Sequence, residues 1–334
     1  MARFDPFHKT LRLSALKDSV VVLSGGATGI GAATVRDFYS RGAKVVFGDV
    51  NSEAAEALVG STSPEKVHYI KTDVTSYKEV RNLFQFALSR YGHVDHAIAN
   101  AGILEQPGWF KRHTTIEELA EQPSTITLDV NLTGVVFFAH LALASLSQDN
   151  GGGMKDKTLT LISSHGGFKE TPGMFLYSTA KHAVIGLMRS LRPYVTRSFP
   201  GVRVNAVCPS MTITGMVDGV KGDWQQGNLP VNQPEDIAHT LIGIAAACPG
   251  SDAMWYDERE SPGLHARESV GSTNWDNKLQ RGIHGRAIYV LGAKCYDIEE
   301  GLDKTEPIWL GKEASQTVKA AQQSLGVGDN WIEK

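Results

Sequence analysis

A tyrosine and a lysine four residues apart, Tyr177 and Lys181, have the types and the spacing for acid–base chemistry. On a helix, residues four apart share one face, so the ammonium can lie beside the phenol. A phenol with a pKa near ~10 is a poor base at neutral pH, but a neighbouring cation lowers that pKa. Ser164 lies upstream, just after an apolar run at residues 159–162 that we predict to be a strand. We expect its hydroxyl to reach the same substrate oxygen as the phenol.

A glycine-rich turn near the start of the chain favours this chemistry over the alternative that Tyr177 and Lys181 are ordinary surface residues. A β-branched run at 20–23 predicts a strand, the turn Ser24–Gly31 follows it, and residues 32–41 have a helical pattern. This order is the context that a dinucleotide-binding fingerprint requires. Gly25 and Gly29 let the backbone turn tightly and approach a pyrophosphate, and the helix amino terminus offers N–H groups to the phosphates.

The next predicted strand, residues 44–48, ends at a carboxylate, Asp49. A carboxylate at this place can accept hydrogen bonds from the adenosine ribose and would repel a 2′-phosphate. The alternative is a solvated strand end. The neighbouring positions that could pair with such a phosphate are not basic: Ala27, Thr28 and Val50. The sequence therefore predicts NAD rather than NADP as the cofactor.

Strand and helix patterns continue to alternate, which predicts a doubly wound, parallel α/β fold of the Rossmann type. Further strands are predicted at residues 67–71, 96–99, 159–162, 202–207 and 286–291, which makes seven. Further helices are predicted at residues 77–91, 123–146, 173–199, 234–247 and 313–325. Pro193 predicts a kink or an early end in the helix at 173–199. We predict one domain over residues 1–334, with a core at 16–292, an insertion at 250–283 and a C-terminal extension at 293–334.

Three further positions bear on the site. Small residues at 100–102 follow a strand and leave room for a cofactor beside the sheet. The turn at residues 208–214 is expected near the nicotinamide, with Thr214 bonding its carboxamide. Asn131, a polar residue in an apolar helix, is either a buried amide bonded to backbone or the anchor of a water that feeds protons to Lys181.

Two irregular segments are candidates for the substrate rim. Residues 103–116 are either a packed surface loop or part of that rim, and residues 215–232 are a candidate mobile cover. The aromatic and apolar residues near these segments are Trp109, Phe110, Met174, Phe175, Met211, Met216 and Trp224. They favour a hydrophobic alcohol or ketone as the substrate, although such side chains also serve as core.

The bulk properties exclude several classes of protein. The chain has 334 residues, a formal charge of −3 and 42 % hydrophobic residues, without a basic stripe for nucleic acid. Its cysteines, Cys208, Cys248 and Cys295, lack metal or redox spacing, so we expect no metal site and a reducing compartment. We find no signal peptide and no run approaching ~20 apolar residues, so we expect a cytoplasmic protein without membrane association.

Together these motifs resemble the short-chain dehydrogenase/reductase family from about Leu16 to Gly292, interrupted by residues 250–283. The chain has Ser24 where the family usually has threonine, and Pro209–Ser210 where it usually has Pro-Gly. The resemblance implies a single doubly wound domain on a seven-stranded parallel sheet, assembled as a homodimer or homotetramer. The long C-terminal extension gives a further likeness to fungal secondary-metabolite and hydroxyprostaglandin-type NAD dehydrogenases.

The resemblance also implies residue roles. Tyr177 would be the general acid/base, Ser164 would hold the reacting oxygen, Lys181 would bind the nicotinamide ribose, and Asn131 would support a proton relay. The implied cofactor-binding residues are Gly25, Thr28, Gly29, Ile30, Asp49, Val50, Asp73, Val74, Asn100, Ala101, Gly102, Tyr177, Lys181, Pro209, Thr212 and Thr214.

The activity we predict is NAD-dependent oxidation of a secondary alcohol of a hydrophobic small molecule, such as a secondary metabolite, to a ketone. The alternatives are an NAD(P)H-dependent ketone or acyl-thioester reductase of the same fold, and a non-catalytic dinucleotide-sensing protein.

Overall fold

A sheet of nine strands, seven of them parallel, organises the part of the chain that the computed structural model describes, residues 3–8, 11–110, 114–148, 156–219, 221–247 and 283–325. The strands are β1 Arg3–Phe4, β2 Val20–Ser24, β3 Lys44–Asp49, β4 Val67–Lys71, β5 His96–Ala99, β6 Lys157–Ile162, β7 Val202–Pro209, β8 Ala287–Leu291 and β9 Lys294–Asp297. Their order across the sheet is β1-β9-β8-β7-β6-β5-β2-β3-β4, and all pairs from β8 to β4 are parallel. The predicted doubly wound α/β fold is confirmed.

Helices cover both faces of this sheet. They are α1 Gly29–Ser40, α2 Ser52–Gly60, α3 Tyr77–Tyr91, α4 Ile126–Leu128, α5 Gly134–Ser147, α6 Phe175–Ser198, α7 Lys221–Gln226, α8 Pro234–Ala246, α9 Ile298–Trp309 and α10 Lys312–Leu325. Successive strand residues point to opposite faces. Val21 and Leu23 accordingly join the core beneath α1 and α8, whereas Val22 joins the core beneath α3, α5 and α6. The parallel strands are therefore buried on both faces, which explains their continuous apolar runs.

The single helix predicted at 123–146 starts later and is not regular. It begins at Ile126 and reaches Ser147, and a π-helical turn at Asp129–Thr133 interrupts it. By length and composition alone, Ile126–Ser147 could cross a membrane, and 44 % of its most apolar window is buried in the protein. Because α5 packs against α3, β5 and β6, its apolar composition is that of a core helix.

Pro193 does not end α6, which continues to Ser198, so of the two predicted effects the early end is wrong, and the kink stays a prediction. Proline removes one intrahelical hydrogen bond. Val195, two residues further on, is completely buried in the core shared with the sheet. Packing of this kind stabilises a helix beyond its intrinsic propensity.

The C-terminal extension contains regular structure that the sequence did not reveal. β9 runs antiparallel to β8, and β1 pairs with β9 at the edge of the sheet. The helix α9, which includes Pro307, lies in the part of the extension for which we predicted no helix. Its buried Glu299 receives hydrogen bonds from Arg189 and Arg192 of α6 at 2.8 and 3.1 Å. This ion pair fastens the extension to α6.

Some predictions fall outside the described residues. They include Cys248 and the insertion at 250–283, apart from the buried Ile283.

Candidate active site

A cavity of about 550 Å³ lies at the carboxyl ends of the parallel strands. Parallel strands end at one edge of a sheet, so residues distant in sequence meet there. Every residue predicted to bind the cofactor lines this cavity, and Ser164 lines it with them. Asn131 does not.

The glycine turn forms the floor of the cavity beside α1. Gly25 has φ +70°, and a Cβ at this position would lie 2.6 Å from the Cα of Ala101. The Asn100 side chain donates a 2.7 Å hydrogen bond to the Gly25 carbonyl oxygen. The Ser24 hydroxyl accepts from the amides of Asn100 and Ala101 at 3.1 and 3.2 Å. Serine therefore supplies the hydroxyl that the threonine of related chains would offer.

The amino terminus of α1 is suited to a phosphate group. Its N-cap, Thr28, makes no side-chain capping bond, and Thr28, Gly29 and Ile30 line the cavity. Uncapped N–H groups and the helix dipole favour an anion at this place. The methyl group of Thr214 would contact a Cβ on Gly29 at 3.0 Å, so the segment that carries Thr214 lies close over the turn.

Asp49 lies at the adenosine end expected for a dinucleotide. Its two carboxylate oxygens accept hydrogen bonds from the amides of Ala27 and Asn51, both at 2.9 Å. A carboxylate has about four acceptor positions, so these bonds orient the group and leave capacity for ribose hydroxyls. Among the described residues that line the cavity, Lys181 and His165 carry the basic side chains, and neither is near β3 in the sheet order.

Ser164, Tyr177 and Lys181 meet three strands away from Asp49. The hydroxyl of Ser164 lies beside the phenol, where it favours the phenolate, and it accepts from the Gly166 amide at 3.2 Å. The Lys181 ammonium donates to the Ile162 carbonyl oxygen at 3.0 Å and lies 5.7 Å from the centre of the Tyr177 ring. The helix face and the strand end thus bring together the three groups that the sequence predicted.

The pKa values of this group differ from the sequence-based expectation. Burial raises the pKa of the Tyr177 phenol above its ordinary 10.0, although the hydroxyl of Ser164 acts in the opposite direction. Burial also lowers the pKa of the Lys181 ammonium to about 8. The expected lowering of the phenol pKa by Lys181 does not hold within the protein itself, because desolvation disfavours the charged forms of both groups.

Asn131 is fully buried in the π-helical turn. Its Nδ2 donates to the Ile103 carbonyl oxygen at 2.7 Å, and its Oδ1 accepts from the Ile103 amide at 2.9 Å. This is the first of the two interpretations, a buried amide bonded to backbone. The relay role stays a prediction.

The segment that follows β7 is held by a buried asparagine. Asn232 donates to the hydroxyls of Ser210 and Thr212 and to the Val290 carbonyl oxygen. Its Oδ1 accepts from the Ala293 amide. Asn232 thereby fixes residues 209–212 in the cavity wall next to the start of the C-terminal extension.

The predicted substrate rim divides into a lining and an outer cluster. The residues that line the cavity are Met174, Met211, Met216 and Trp224. Trp109, Phe110 and Phe175 form an outer, exposed cluster, with Phe110 stacked on Phe175 at 4.8 Å. Residues 215–217 and 221–226 form short helices within the predicted cover.

The residues near the site that the sequence analysis did not predict include His165, Thr72 and Glu105. His165 lines the cavity and contacts the rings of Phe168 and Tyr289. Thr72 also lines it, and the Glu105 carboxylate accepts a 2.7 Å hydrogen bond from the Tyr177 amide. The adjacency of His165 to Ser164 was a usable signal. Glu105 offered none, because 72 residues separate it from its partner.

Cysteine and metal chemistry find no support among the described residues. Cys208 is buried, and burial raises its pKa to about 12; Cys295 is raised likewise to about 11. Thiols held in this state are poor nucleophiles. No group of metal-ligating side chains occurs in the described ranges.

This sheet, with a glycine turn at one end of its cavity and a Ser–Tyr–Lys group at the other, is that of a dinucleotide-dependent oxidoreductase. A family model described as short chain dehydrogenase matches residues 19–224, more than half of the chain. The protein belongs to the short-chain dehydrogenase/reductase family, whose members use nicotinamide dinucleotides.

Known relatives agree with this assignment. The chain is 32 % identical over 311 residues to short-chain dehydrogenase/reductase prx4 of Penicillium rubens, covering 92 % of this chain and 84 % of that protein. It is 28 % identical over 212 residues to human 15-hydroxyprostaglandin dehydrogenase [NAD(+)], covering 62 % and 73 %. Among solved structures, Thermoplasma acidophilum aldohexose dehydrogenase has a TM-score of 0.56 and 26 % identity, covering 70 % of this chain and 88 % of that one.

Proposed function

We propose that the protein is an NAD-dependent oxidoreductase that oxidises a secondary alcohol of a hydrophobic small molecule to a ketone. The observation that carries the proposal is one cavity with Asp49 at the end of β3 and Ser164, Tyr177 and Lys181 beside the end of β6. The two strands are three positions apart in the sheet, or roughly 14 Å at the usual strand spacing. That span suits a dinucleotide laid across the strand ends.

When bound, a nicotinamide dinucleotide supplies the acceptor for the hydride of the alcohol. Side chains of the protein bind the alcohol hydroxyl and take up its proton. Ser164 donates a hydrogen bond to the alcohol oxygen, and Tyr177 takes the hydroxyl proton as a general base. Lys181, whose ammonium is buried with one carbonyl partner, has donors left for a ribose hydroxyl.

The preference for NAD rests on Asp49. Its carboxylate is oriented by two backbone amides, as a ribose-binding group should be, and it would repel a 2′-phosphate. No basic side chain from the described residues lines that end of the cavity. The relative named as an NAD(+) enzyme supports the same choice.

The hydrophobic substrate is inferred from the cavity wall beyond the catalytic group. Leu104, Met174, Met211, Met216 and Trp224 line this wall. Apolar linings with few polar groups favour apolar ligands.

Reduction of a ketone is the second candidate, and one observation favours it. Burial raises the pKa of the Tyr177 phenol, and this favours the protonated hydroxyl, which is the form that donates a proton to a ketone oxygen.

The test follows absorbance of the reduced cofactor with NAD or NADP and an aromatic secondary alcohol such as 1-phenylethanol, and in reverse with acetophenone. We expect turnover with NAD.

Asp49→Ala should lower kcat/KM for NAD by about tenfold or more, because it removes hydrogen bonds to a charged group. The ratio of kcat/KM for NAD to kcat/KM for NADP should decrease as well. An unchanged cofactor preference would show that another group reads the ribose. No turnover in either direction across a wider alcohol and ketone panel would count against the proposed activity.

A further inference from the structure

We propose that Glu105 is a positioning residue, which fastens the loop at residues 102–110 to the first turn of α6 and thereby sets the geometry between Tyr177 and the substrate wall. The inference deepens the proposed function and rests on it, because the loop and the helix enclose the same cavity.

The first support is the way in which α6 begins. Helices leave their first N–H groups without intrahelical partners, and the N-cap side chain usually satisfies one of them. In α6 the N-cap is Met174, which makes no capping bond. Glu105 takes this role from a distant loop, because its Oε2 accepts from the amide of Tyr177 at 2.7 Å. The bonded amide belongs to the catalytic tyrosine itself, so a shift of the loop moves the tyrosine backbone.

The second support is that the loop is held at both ends, by the π-helical turn on one side and by the start of α6 on the other. Asn131 bonds both the amide and the carbonyl oxygen of Ile103, two residues before Glu105. Further along, Trp109 and Phe110 contact Phe175, the first residue of α6, with ring centres at 5.3 and 4.8 Å. Glu105 is the polar contact between these two anchors.

The third support is an unfavourable feature of the carboxylate. Its other oxygen, Oε1, is buried without a hydrogen-bond partner among the described residues. A buried polar atom without a partner costs stability, and such atoms call for an explanation. The positive end of α6 offsets part of this cost. A polar atom without a partner is expected where a residue contributes to a functional site rather than to stability.

Two variants separate positioning from general stability. Glu105→Ala removes the acceptor for the Tyr177 amide, whereas Glu105→Gln keeps a carbonyl oxygen at the same distance along the side chain. Glu117→Ala is the matched control, since Glu117 is an exposed acid in a short helix that follows the same segment.

The first measurement is amide hydrogen exchange with saturating NADH, followed in peptides that cover 103–110 and 175–178. Glu105→Ala should exchange about five- to tenfold faster in both peptides, as expected for loss of a helix cap, while Glu105→Gln and Glu117→Ala stay near wild type. Exchange requires no substrate, so a failure of the alcohol assay would count against the proposed function and leave this result interpretable.

The second measurement compares a large alcohol, 1-phenylethanol, with a small one, 2-propanol, at saturating NAD. In Glu105→Ala, KM for the aromatic alcohol should rise about tenfold and more than for 2-propanol, with NADH affinity unchanged within about twofold. Glu105→Gln should restore KM. The proposal is overturned if Glu105→Ala exchanges like Glu117→Ala in both peptides, or if Glu105→Gln is as impaired as Glu105→Ala.

Discussion

A buried cation lies at each end of the parallel strands, and the two cations differ in their hydrogen bonds. We call the side of the sheet where the strands end the carboxyl edge, and the side where they begin the amino edge. At the carboxyl edge, the Lys181 ammonium makes one hydrogen bond within the described part of the chain, to the Ile162 carbonyl oxygen at 3.0 Å. At the amino edge, the Arg203 guanidinium bonds both oxygens of Asp156 at 2.7 and 2.9 Å, together with the carbonyl oxygens of Ile283 and Ile244. Both cations are almost completely buried.

The difference lies in how much bonding capacity remains. Arg203 uses nearly all of its five donors on fixed protein acceptors, so it can only hold structure: it joins β7 to the last turn of α8 and to Ile283. Lys181 keeps donors for a ligand, and burial lowers its pKa to about 8. The buried charge of Lys181 is thus left partly unpaired beside the cavity, whereas that of Arg203 is fully paired within the protein.

The largest effect that we predict concerns the carboxyl edge. Tyr177→Phe removes the hydroxyl that transfers the proton, so turnover should fall by about 10²- to 10⁴-fold. The affinity for NADH and the unfolding midpoint should stay near wild type, because the ring remains. Steady-state kinetics and NADH fluorescence titration measure these quantities. Near-normal turnover would remove Tyr177 from the mechanism.

The comparison of the cations predicts opposite changes in stability. Arg203→Leu leaves the Asp156 carboxylate buried without its partner, so the free energy of unfolding in urea should fall by about 3–5 kcal/mol. At pH 7, Lys181→Met should not lower the free energy of unfolding. The folded pKa of about 8 lies below the ordinary 10.5, so the buried ammonium destabilises the fold below about pH 8 and this cost disappears as the pH rises to 10.5.

The matched control replaces both members of the amino-edge pair. Arg203→Leu with Asp156→Leu should be less destabilised than Arg203→Leu alone, since no uncompensated charge remains. Equal losses for Arg203→Leu and Lys181→Met would contradict the distinction between the two edges.

A smaller effect is predicted for His96, at the amino edge. Its ring is fully buried, bonds the Thr158 hydroxyl at 2.9 Å, and has a pKa lowered by burial to about 4 from 6.5. The neutral ring is favoured in the fold, so its contribution is complete above pH 6.5 and is lost as the pH falls towards 4. Over this pH range the free energy of unfolding should fall by about 3 kcal/mol.

Urea unfolding at pH 7 and pH 4.5 tests this. The decrease in the free energy of unfolding from pH 7 to pH 4.5 should be smaller in His96→Asn than in wild type. In His140→Asn, a variant of an exposed histidine, it should equal that of wild type. The same decrease in His96→Asn as in wild type would assign the acid sensitivity to other groups.

Most of the site could be predicted from local sequence patterns, because each of its parts depends on residues that are close together in the chain. The turn at Gly25, the carboxylate of Asp49 at a strand end and the four-residue spacing of Tyr177 and Lys181 all depend on residues close in sequence. The extension was harder, since β9 is fixed by pairing with β8 and α9 by the ion pairs of Glu299. Those contacts connect distant segments.

By itself, the sequence determined the α/β fold, the residues that meet at the carboxyl edge and the family to which the chain belongs, because strand and helix periods and short motifs are local properties. Only the tertiary structure decided how those residues are solvated and held. Burial raised the pKa of Tyr177 instead of lowering it, Ile103 occupied both polar groups of Asn131, and Glu105 bonded the Tyr177 amide. Desolvation and long-range hydrogen bonds depend on which segments pack together, and no local pattern contains that information.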